Sequence, residues 1–347
     1  MKKFLTLALC ALMAMSTVLV GCNNNSKNDE NNNEPNAVAP NNNDEGSNES
    51  ENTVKFGAGV YTSAPSAVDA TENKEGTGEI EITAAALTVD ADGKIAACEL
   101  DTASYTVNFT LDGKAIASEF KTKYELGKDY NMVAYGGAKK EWFEQADTFE
   151  AVVVGKTLDE VKALVAEGNK GTEEVTTAGC TIMINEFVSA IEKAYKAADT
   201  EISADTTLEL NFATEQTCTD ATEEKNGSND ISAYVFAAAF DADSKVVAAS
   251  SDCVDVSFTF DANGVSTLDT TKPVLSKMEQ GMSYGMVAYG GATKEWFEQA
   301  DAFDAACIGK TKEEIAGLLG DDGKGNSDLQ TAGCTINVTG FIKAATK

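Results

Sequence analysis

A segment of 35 residues occurs twice in this chain, and the repetition limits the folds that the chain can adopt. Residues 130–164 and 284–318 are identical at 23 of 35 positions, with an offset of 154 residues. The hexapeptide Thr-Ala-Gly-Cys-Thr-Ile recurs at the same offset, beginning at Thr177 and at Thr331. Equal spacing of two repeated blocks indicates that the structure between them is also repeated. We therefore expect two copies of one domain of ordinary size.

The repeat and the flanking composition divide the chain into four segments. We expect a lipoprotein signal peptide at 1–21, then Cys22 and an Asn-rich tether at 22–52, and two repeats at 53–199 and 200–347. The tether contains scarcely any apolar side chains, so it cannot offset the entropy cost of ordering and should be disordered.

The first residues have the features of an export signal. Lys2 and Lys3 precede an almost wholly apolar stretch at 4–20, which is too short to be a stable membrane span. The stretch ends on Leu-Val-Gly-Cys, which resembles the lipobox of bacterial lipoproteins, whose cysteine carries the lipid. The resemblance implies acylation of Cys22, for example by palmitate, and attachment to the outer face of the cell membrane. The alternative is an ordinary secretory signal in which Cys22 is incidental.

Alternation of apolar and polar residues predicts strands at the start of each repeat, and helices follow. The strand patterns lie at 79–82, 95–100 and 105–111 in the first repeat, and at 234–240, 246 onward and 254–260 in the second. The Lys-Glu-Trp-Phe-Glu-Gln-Ala segments place Trp142, Ala146 and Phe149 on one helix face. A last helix is expected at 185–197. The predicted fold class is α+β, with two tandem copies of an antiparallel sheet covered by helices.

Composition excludes several classes of function. The formal net charge of −29 at pH 7 repels nucleic acid and anionic lipid headgroups. The sequence contains no histidine and no arginine. Without histidine there is no imidazole base, no Cys-His or Ser-His pair and no His-ligated metal. Without arginine there is no bidentate clamp for a phosphate. We therefore expect neither a catalytic constellation nor a metal site.

Other short motifs have simpler structural interpretations. Gly-Lys-Thr at 155 and at 309 lacks the upstream glycine of a phosphate loop, so it predicts a helix break followed by a capping box. Asp-x-Asp-Gly at 90–93 lacks the later ligands of a calcium loop and predicts a hairpin turn. Tyr-Gly-Gly at 135–137 and 289–291 predicts a tight turn, with a ligand approach as the alternative. No two cysteines in the sequence have the C-x-x-C spacing, and we expect most of the thiols to be free and buried.

The repeated Thr-Ala-Gly-Cys-Thr-Ile element is the candidate site. Thr181 and Thr335 each follow small residues and stand seven positions after an acid, Glu174 or Asp328. A hydroxyl on such a turn can be reached by a modifying enzyme. The alternative is a purely structural turn in which cysteine fills the core.

These residues resemble the extracytoplasmic FMN-binding domain family. The resemblance rests on Thr-Gly-Glu-Ile-Glu-Ile at 77–82, Asp-Gly-Lys-Ile at 92–95 and the small-Gly-small-Thr element. It implies that a flavin transferase esterifies the phosphate of FMN to threonine, at Thr181 and Thr335 or alternatively at Thr177 and Thr331. The implied cofactor-binding residues are Thr181, Thr335, Gly179, Gly333, Cys180 and Cys334.

The resemblance implies a membrane-anchored electron carrier with FMN in each repeat, rather than a stand-alone enzyme. Its implied partners are the membrane through the lipid, a flavin transferase and membrane redox proteins, and not nucleic acid. Two other functions remain open. One is a cofactor-free binding or adhesion lipoprotein whose repeats are a scaffold. The other is a pheromone precursor, in which the segment before Cys22 is released as a signal.

Overall fold

The computed structural model describes residues 52–347, so the expected signal peptide, Cys22 and the tether up to residue 51 lie outside the described residues. The described part forms one compact unit of the α+β class, with antiparallel sheets of six and three strands. Within residues 52–347, no helix is both long and apolar enough to cross a bilayer.

The first sheet has the order β5-β4-β3-β1-β6, and β2 pairs with β3. Its strands are β1 (Thr53–Thr62), β2 (Ser66–Val68), β3 (Gly76–Val89), β4 (Ile95–Phe109), β5 (Ala115–Ile116) and β6 (Thr200–Ser203). The second sheet has the order β7-β8-β9, from β7 (Thr207–Thr219), β8 (Gly227–Phe240) and β9 (Val246–Phe260). Residues 200–203, assigned by sequence to the second repeat, therefore lie in the first sheet, where Thr200 pairs with Phe56.

Five helices follow each sheet hairpin. The first set is α1 (Lys123–Leu126), α2 (Trp142–Val153), α3 (Leu158–Lys162), α4 (Glu173–Ala178) and α5 (Asn185–Lys196). The second set is α6 (Lys277–Gln280), α7 (Trp296–Cys307), α8 (Lys312–Ala316), α9 (Ser327–Ala332) and α10 (Thr339–Ala345). The capping boxes predicted after the two Gly-Lys segments are confirmed, since Thr157 and Thr311 each accept a hydrogen bond from the third residue of the next helix.

The strand predictions are confirmed in position but wrong in one respect. The expected strands at 95–100 and 105–111 are a single strand, β4, which pairs with β3 along its whole length. Those expected from 246 onward and at 254–260 are likewise a single strand, β9, which pairs with β8. The polar residues between them resemble a turn in the sequence, but they are satisfied within the sheet. Asp101 accepts hydrogen bonds from the N–H groups of Thr102 and Tyr124, and the hydroxyls of Thr102 and Thr83 lie 2.9 Å apart.

The hairpin turn expected at 90–93 is confirmed. The carboxylate of Asp90 accepts the N–H groups of Asp92 and Lys94 at 2.9 and 2.8 Å. Gly93 has a φ of 75°, a conformation that glycine adopts without steric cost. The carboxylate of Asp90 therefore shapes a turn between β3 and β4.

The two sheets pack face to face, and each carries helices on its outer face. One apolar cluster lies between the sheets and includes Phe56 and Tyr105 of the first sheet with Phe212 and Phe258 of the second. A second cluster joins the first sheet to α2 and α5, and a third joins the second sheet to α7 and α10. The result is four layers, helices–sheet–sheet–helices, with the innermost core shared by both halves.

Polar contacts also cross between the halves. Asn229 is fully buried and donates to the carbonyl oxygen of Asn108 at 3.0 Å. The hydroxyls of Tyr105 and Thr214 lie 2.9 Å apart. Because buried polar groups need their partners, these bonds help to fix the position of one sheet on the other.

Candidate functional site

The threonines singled out by sequence lie directly after a short helix in each half. Helix α4 ends at Gly179, whose φ of 113° turns the chain, and its N–H donates to the carbonyl oxygens of Val175 and Thr176. The next residue, Cys180, is buried, and Thr181 is exposed. The turn thus sends the Cys180 thiol into the core and leaves Thr181 at the surface.

The second half has the same turn. Helix α9 ends at Gly333, with a φ of 105°, followed by buried Cys334 and exposed Thr335. Thr177 and Thr331, the alternative attachment residues, are also exposed but belong to the helices themselves. Exposure alone therefore does not distinguish the four threonines.

A buried glutamine holds Thr181 in place. The amide oxygen of Gln145, on α2, accepts the backbone N–H of Thr181 at 2.8 Å and its hydroxyl at 2.9 Å. The amide nitrogen of Gln145 donates to the carbonyl oxygen of Lys140 at 3.1 Å. Gln145 is only 1% exposed, so its own orientation is fixed by packing and by these three bonds.

Gln299 does the same for Thr335. Its amide oxygen accepts the N–H and the hydroxyl of Thr335 at 2.9 Å each, and its nitrogen donates to the carbonyl oxygen of Lys294 at 3.1 Å. Sequence reasoning missed both glutamines as site residues. Their signal in the sequence is their place in the repeated Lys-Glu-Trp-Phe-Glu-Gln-Ala segment, whose apolar spacing indicates a core helix.

A lysine lies over each glycine turn. A Cβ atom built on Gly179 would lie 2.6 Å from Nζ of Lys140, and one built on Gly333 would lie 2.2 Å from Nζ of Lys294. Lys140 also donates to the hydroxyl of Thr148 at 2.8 Å. The predicted glycines therefore serve two purposes, the positive φ and the close approach of a cation to the turn.

Thr181 lines a cleft of about 680 Å³. This volume lies within the range of about 300–1,000 Å³ typical of small-molecule sites. The lining residues come from β3, β4, α1, α2, α5 and the intervening loops. They include Glu81, Lys123, Tyr130, Trp142, Thr181 and Glu186. Thr177 is not among the lining residues, so the cleft favours Thr181 as the functional threonine of the first half.

An ion pair between buried Lys123 and half-buried Glu81 lies in the wall of this cleft. Nζ of Lys123 lies 2.7 Å from a carboxylate oxygen of Glu81, which also accepts the hydroxyl of Ser104 at 2.6 Å. The same amine lies 5.6 Å from the ring centroid of Tyr130 and 5.7 Å from that of Trp142. Burial raises the pKa of Glu81, but the charge and hydrogen bond of Lys123, together with hydrogen bonds from Ser104 and Glu186, outweigh that effect and hold the pKa below its usual value.

Glu186 gives the cleft a charge that depends on pH. Burial and the neighbouring negative charge of Glu81 raise the pKa of Glu186 to about 7, while Lys123 opposes the shift. The hydroxyl of Thr83 donates to Glu186 at 3.5 Å. Near neutral pH the cleft therefore contains one ionised carboxylate, one ammonium group and one carboxyl that can release a proton.

The two cysteines predicted at the site contribute through packing. Cys180 and Cys334 are buried in the outer cores of their halves. Burial raises the pKa of each thiol to about 11, so both thiols are protonated at neutral pH. All six cysteines of the described residues are free, and Cys218 alone among them is exposed.

No group of three or more acidic or cysteine side chains within residues 52–347 is arranged to hold a metal ion.

The Tyr-Gly-Gly segments form tight turns that expose their tyrosine rings. Tyr135 is 87% exposed and Tyr289 is 91% exposed. Buried glutamates fix these loops, because Glu141 accepts the N–H of Met132 at 2.9 Å and Glu295 accepts the equivalent N–H at 2.8 Å.

Comparison with models of known protein families, with curated proteins and with solved structures finds no match for this chain.

Proposed function

We propose that the protein is an extracytoplasmic electron carrier that holds FMN through a phosphate ester on threonine. The observation that carries the proposal is the position of Thr181, an exposed residue with a fixed backbone and a place in the wall of a cleft of about 680 Å³. The resemblance to the FMN-binding family supplies the identity of the cofactor.

The side chains around the cleft fit such a group. Tyr130 and Trp142 contribute aromatic surface, on which a planar ring system can pack. Lys140 lies over the turn that bears Thr181 and offers a positive charge close to the attachment region. A covalent ester needs no arginine clamp, which agrees with the absence of arginine from the sequence.

The chain's residues would bind and tune the cofactor, while FMN supplies the electron-transfer chemistry when bound. Gln145 keeps the Thr181 hydroxyl at the mouth of the cleft. Glu81 and Glu186 place carboxyl groups on its wall, and negative charge there disfavours an anionic form of a bound ligand. Ionisation of Glu186 as the pH rises through about 7 strengthens this effect.

The proposal also covers the organisation of the chain. It comprises a signal peptide at 1–21, lipid on Cys22, a tether up to residue 52 and two tandem copies of one domain, from 53 to 199 and from 200 to 347. The partners are a flavin transferase, the membrane through the lipid, and membrane redox proteins. The repeated sequence blocks and the similar order of helices after each sheet support the duplication.

Co-expression of the protein with a flavin transferase tests the carrier function. The purified protein should show the visible absorbance of an oxidised flavin, lose it on reduction and regain it on exposure to an oxidant. A colourless protein from a host that flavinylates a known target would contradict the proposal.

The variant Cys22→Ser tests the anchor separately, because it should leave the membrane fraction or remain uncleaved.

A second candidate function is a cofactor-free binding scaffold. The specific observation in its favour is the pair of exposed tyrosines, Tyr135 and Tyr289. Their loops share the sequence Met-Val-Ala-Tyr-Gly-Gly-Ala and are held in place by hydrogen bonds to buried glutamates. Exposed aromatic side chains on a rigid loop are common in recognition surfaces. Two results together would favour this function. The wild type would contain no flavin, and the variants Tyr135→Ala and Tyr289→Ala would no longer bind a partner that the wild type binds.

A further inference from the structure

The two halves differ at the sheet position beneath the cleft. Thr83 pairs with Thr102 between β3 and β4, and Tyr234 pairs with Cys253 between β8 and β9. Thr83 lies seven residues after the first residue of β3, and Tyr234 lies seven residues after the first residue of β8, so each pair has the same register in its hairpin. Thr83 and Tyr234 are therefore equivalent, and a small hydroxyl side chain in one half corresponds to a large ring in the other.

The helix residue opposite this position differs as well. Glu186 and Gly340 are the second residues of α5 and α10. Glu186 lines the first-half cleft. A Cβ atom built on Gly340 would lie 2.1 Å from Cδ2 of Tyr234, which is closer than any real contact. The ring therefore occupies the space in which a side chain at 340 would begin, and the two residues are complementary.

The tyrosine ring is packed and does not lie open to solvent. Tyr234 is 9% exposed, and its ring makes an edge-on contact with Phe341 at a centroid distance of 5.1 Å. The equivalent of Phe341 in the first half is Phe187, which lines the cleft. The aromatic face that a ligand could contact in the first half is thus covered by the protein's own ring in the second.

We propose that the chain binds one ligand and not two. A planar aromatic ligand of flavin size occupies the cleft of the first half and is esterified to Thr181, whereas Tyr234 fills the corresponding space and leaves Thr335 unmodified. The identity of the ligand rests on the proposed function, but the difference between the halves does not. The second half then serves as the layer on which the first sheet packs.

The ester requires an activated flavin phosphate. The Thr181 oxygen attacks the FMN phosphorus of a flavin adenine dinucleotide, the oxygen–phosphorus bond forms and the phosphoanhydride bond breaks. AMP leaves, and the hydroxyl proton passes to solvent. No electron transfer accompanies this step, so attachment and redox function can be measured separately.

Peptide mapping of the full chain made beside a flavin transferase tests the assignment. We expect one FMN per chain, on the peptide that contains Thr181, and an unmodified Thr335 peptide. Thr335→Ala should leave the flavin content unchanged, whereas Thr181→Ala should remove it. FMN on both peptides would overturn the inference and leave the proposed function standing. FMN on neither would contradict the proposed function.

Free riboflavin provides a test that needs no transferase. Titration of the full chain, followed by quenching of riboflavin fluorescence, should give one site for the wild type and a second site for Tyr234→Thr. The double variant Thr83→Tyr with Glu186→Gly copies the second half's residues and should lose the first site. Its circular dichroism must match the wild type. A folded double variant that still binds, or a wild type with two sites or none, would overturn the inference.

Discussion

Gln145 is the residue on which the position of Thr181 depends most directly. Its one amide oxygen accepts two hydrogen bonds from the threonine, and no water can replace it easily because the side chain is 1% exposed. The backbone N–H of Thr181 and the carbonyl oxygen of Lys140 would both lose their partner if the amide were removed. The position of the turn therefore depends on α2 as well as on the short helix α4 that precedes it.

Replacing Gln145→Leu should destabilise the protein by about 1–3 kcal/mol, the usual cost of leaving buried polar groups unpaired. Urea unfolding measures this change. Gln299→Leu is the matched control, since it removes the equivalent three bonds in the second half, together with a longer contact from the Gln299 amide to the sulfur of Met286. Both variants should lose similar stability, but only Gln145→Leu should reduce ligand binding at Thr181. Equal effects on ligand binding would contradict the assignment of the site to the first half.

Asp304 makes stability depend on pH. Burial raises its pKa to about 7, whereas an unfolded aspartate has a pKa of about 4. Because the folded-state pKa is the higher one, its favourable contribution is complete below about pH 4 and is lost as the pH rises to about 7. A shift of about three pKa units corresponds to roughly 3–4 kcal/mol.

Asp304→Asn should flatten this pH dependence. An asparagine can accept the N–H of Ser251 and donate to its hydroxyl, so both hydrogen bonds survive without a charge. Free energies of unfolding at pH 5 and pH 8 should differ less in the variant than in the wild type. Asp321→Asn, at an exposed position, is the control and should retain the wild-type difference. An unchanged slope in Asp304→Asn would show that this carboxyl is already ionised in the folded state.

At the scale of elements, α5 connects the sheet to the cleft. The helix lies across β1, where a Cβ atom built on Gly59 would lie 2.4 Å from the backbone nitrogen of Ala194. The same helix begins four residues after Thr181 and supplies Glu186 and Phe187 to the cleft. The close approach of helix and strand at Gly59 therefore helps to position the helix that carries Glu186 and Phe187.

Gly59→Ala should force α5 away from β1 and destabilise the protein by about 1–3 kcal/mol, as overpacking of a core does. Displacement of the helix should also weaken ligand binding in the cleft. Thermal unfolding and riboflavin titration measure the two effects. Lys55→Ala, at an exposed position of the same strand, is the control and should change neither. A Gly59→Ala variant as stable as the wild type would mean that the helix can shift freely.

Much of this element structure could be predicted from local sequence. The hairpin turn at Asp90, the helix from Trp142 and the cap at Thr157 depend on residues within a few positions of each other. The continuity of β4 could not be predicted in this way, because Asp101 is satisfied by the N–H of Tyr124, which lies 23 residues later. The anchor on Thr181 had the same difficulty, since Gln145 is 36 residues away.

Two separate domains would each have a core of their own, whereas one apolar cluster in this structure lies between the sheets of both repeats. Sequence alternation indicates which residues are buried, but it does not reveal whether a helix or another sheet covers them. The apolar faces of the two sheets cover each other, so Phe56 and Tyr105 share a cluster with Phe212 and Phe258. The repeats are therefore distinct in sequence but joined through one interior.

Separating the halves should expose this interior. Fragments 52–203 and 204–347 are each expected to lose cooperative unfolding or to aggregate, because each would place one face of its sheet in water. Mixing the fragments at refolding should restore a soluble complex with the spectrum of the intact protein. Size-exclusion chromatography and denaturant unfolding measure this behaviour. Two soluble monomers with cooperative transitions would instead support the independent domains expected from the sequence.

Intact mass of the full chain tests most directly whether the hydroxyl of Thr181 carries the flavin. Wild type and Thr181→Ser, made beside a flavin transferase, should both gain the mass of one FMN phosphate ester. Thr181→Val preserves the shape of the side chain without the hydroxyl and should remain at the unmodified mass. Retention of the added mass in Thr181→Val would contradict the account and place the flavin on another residue.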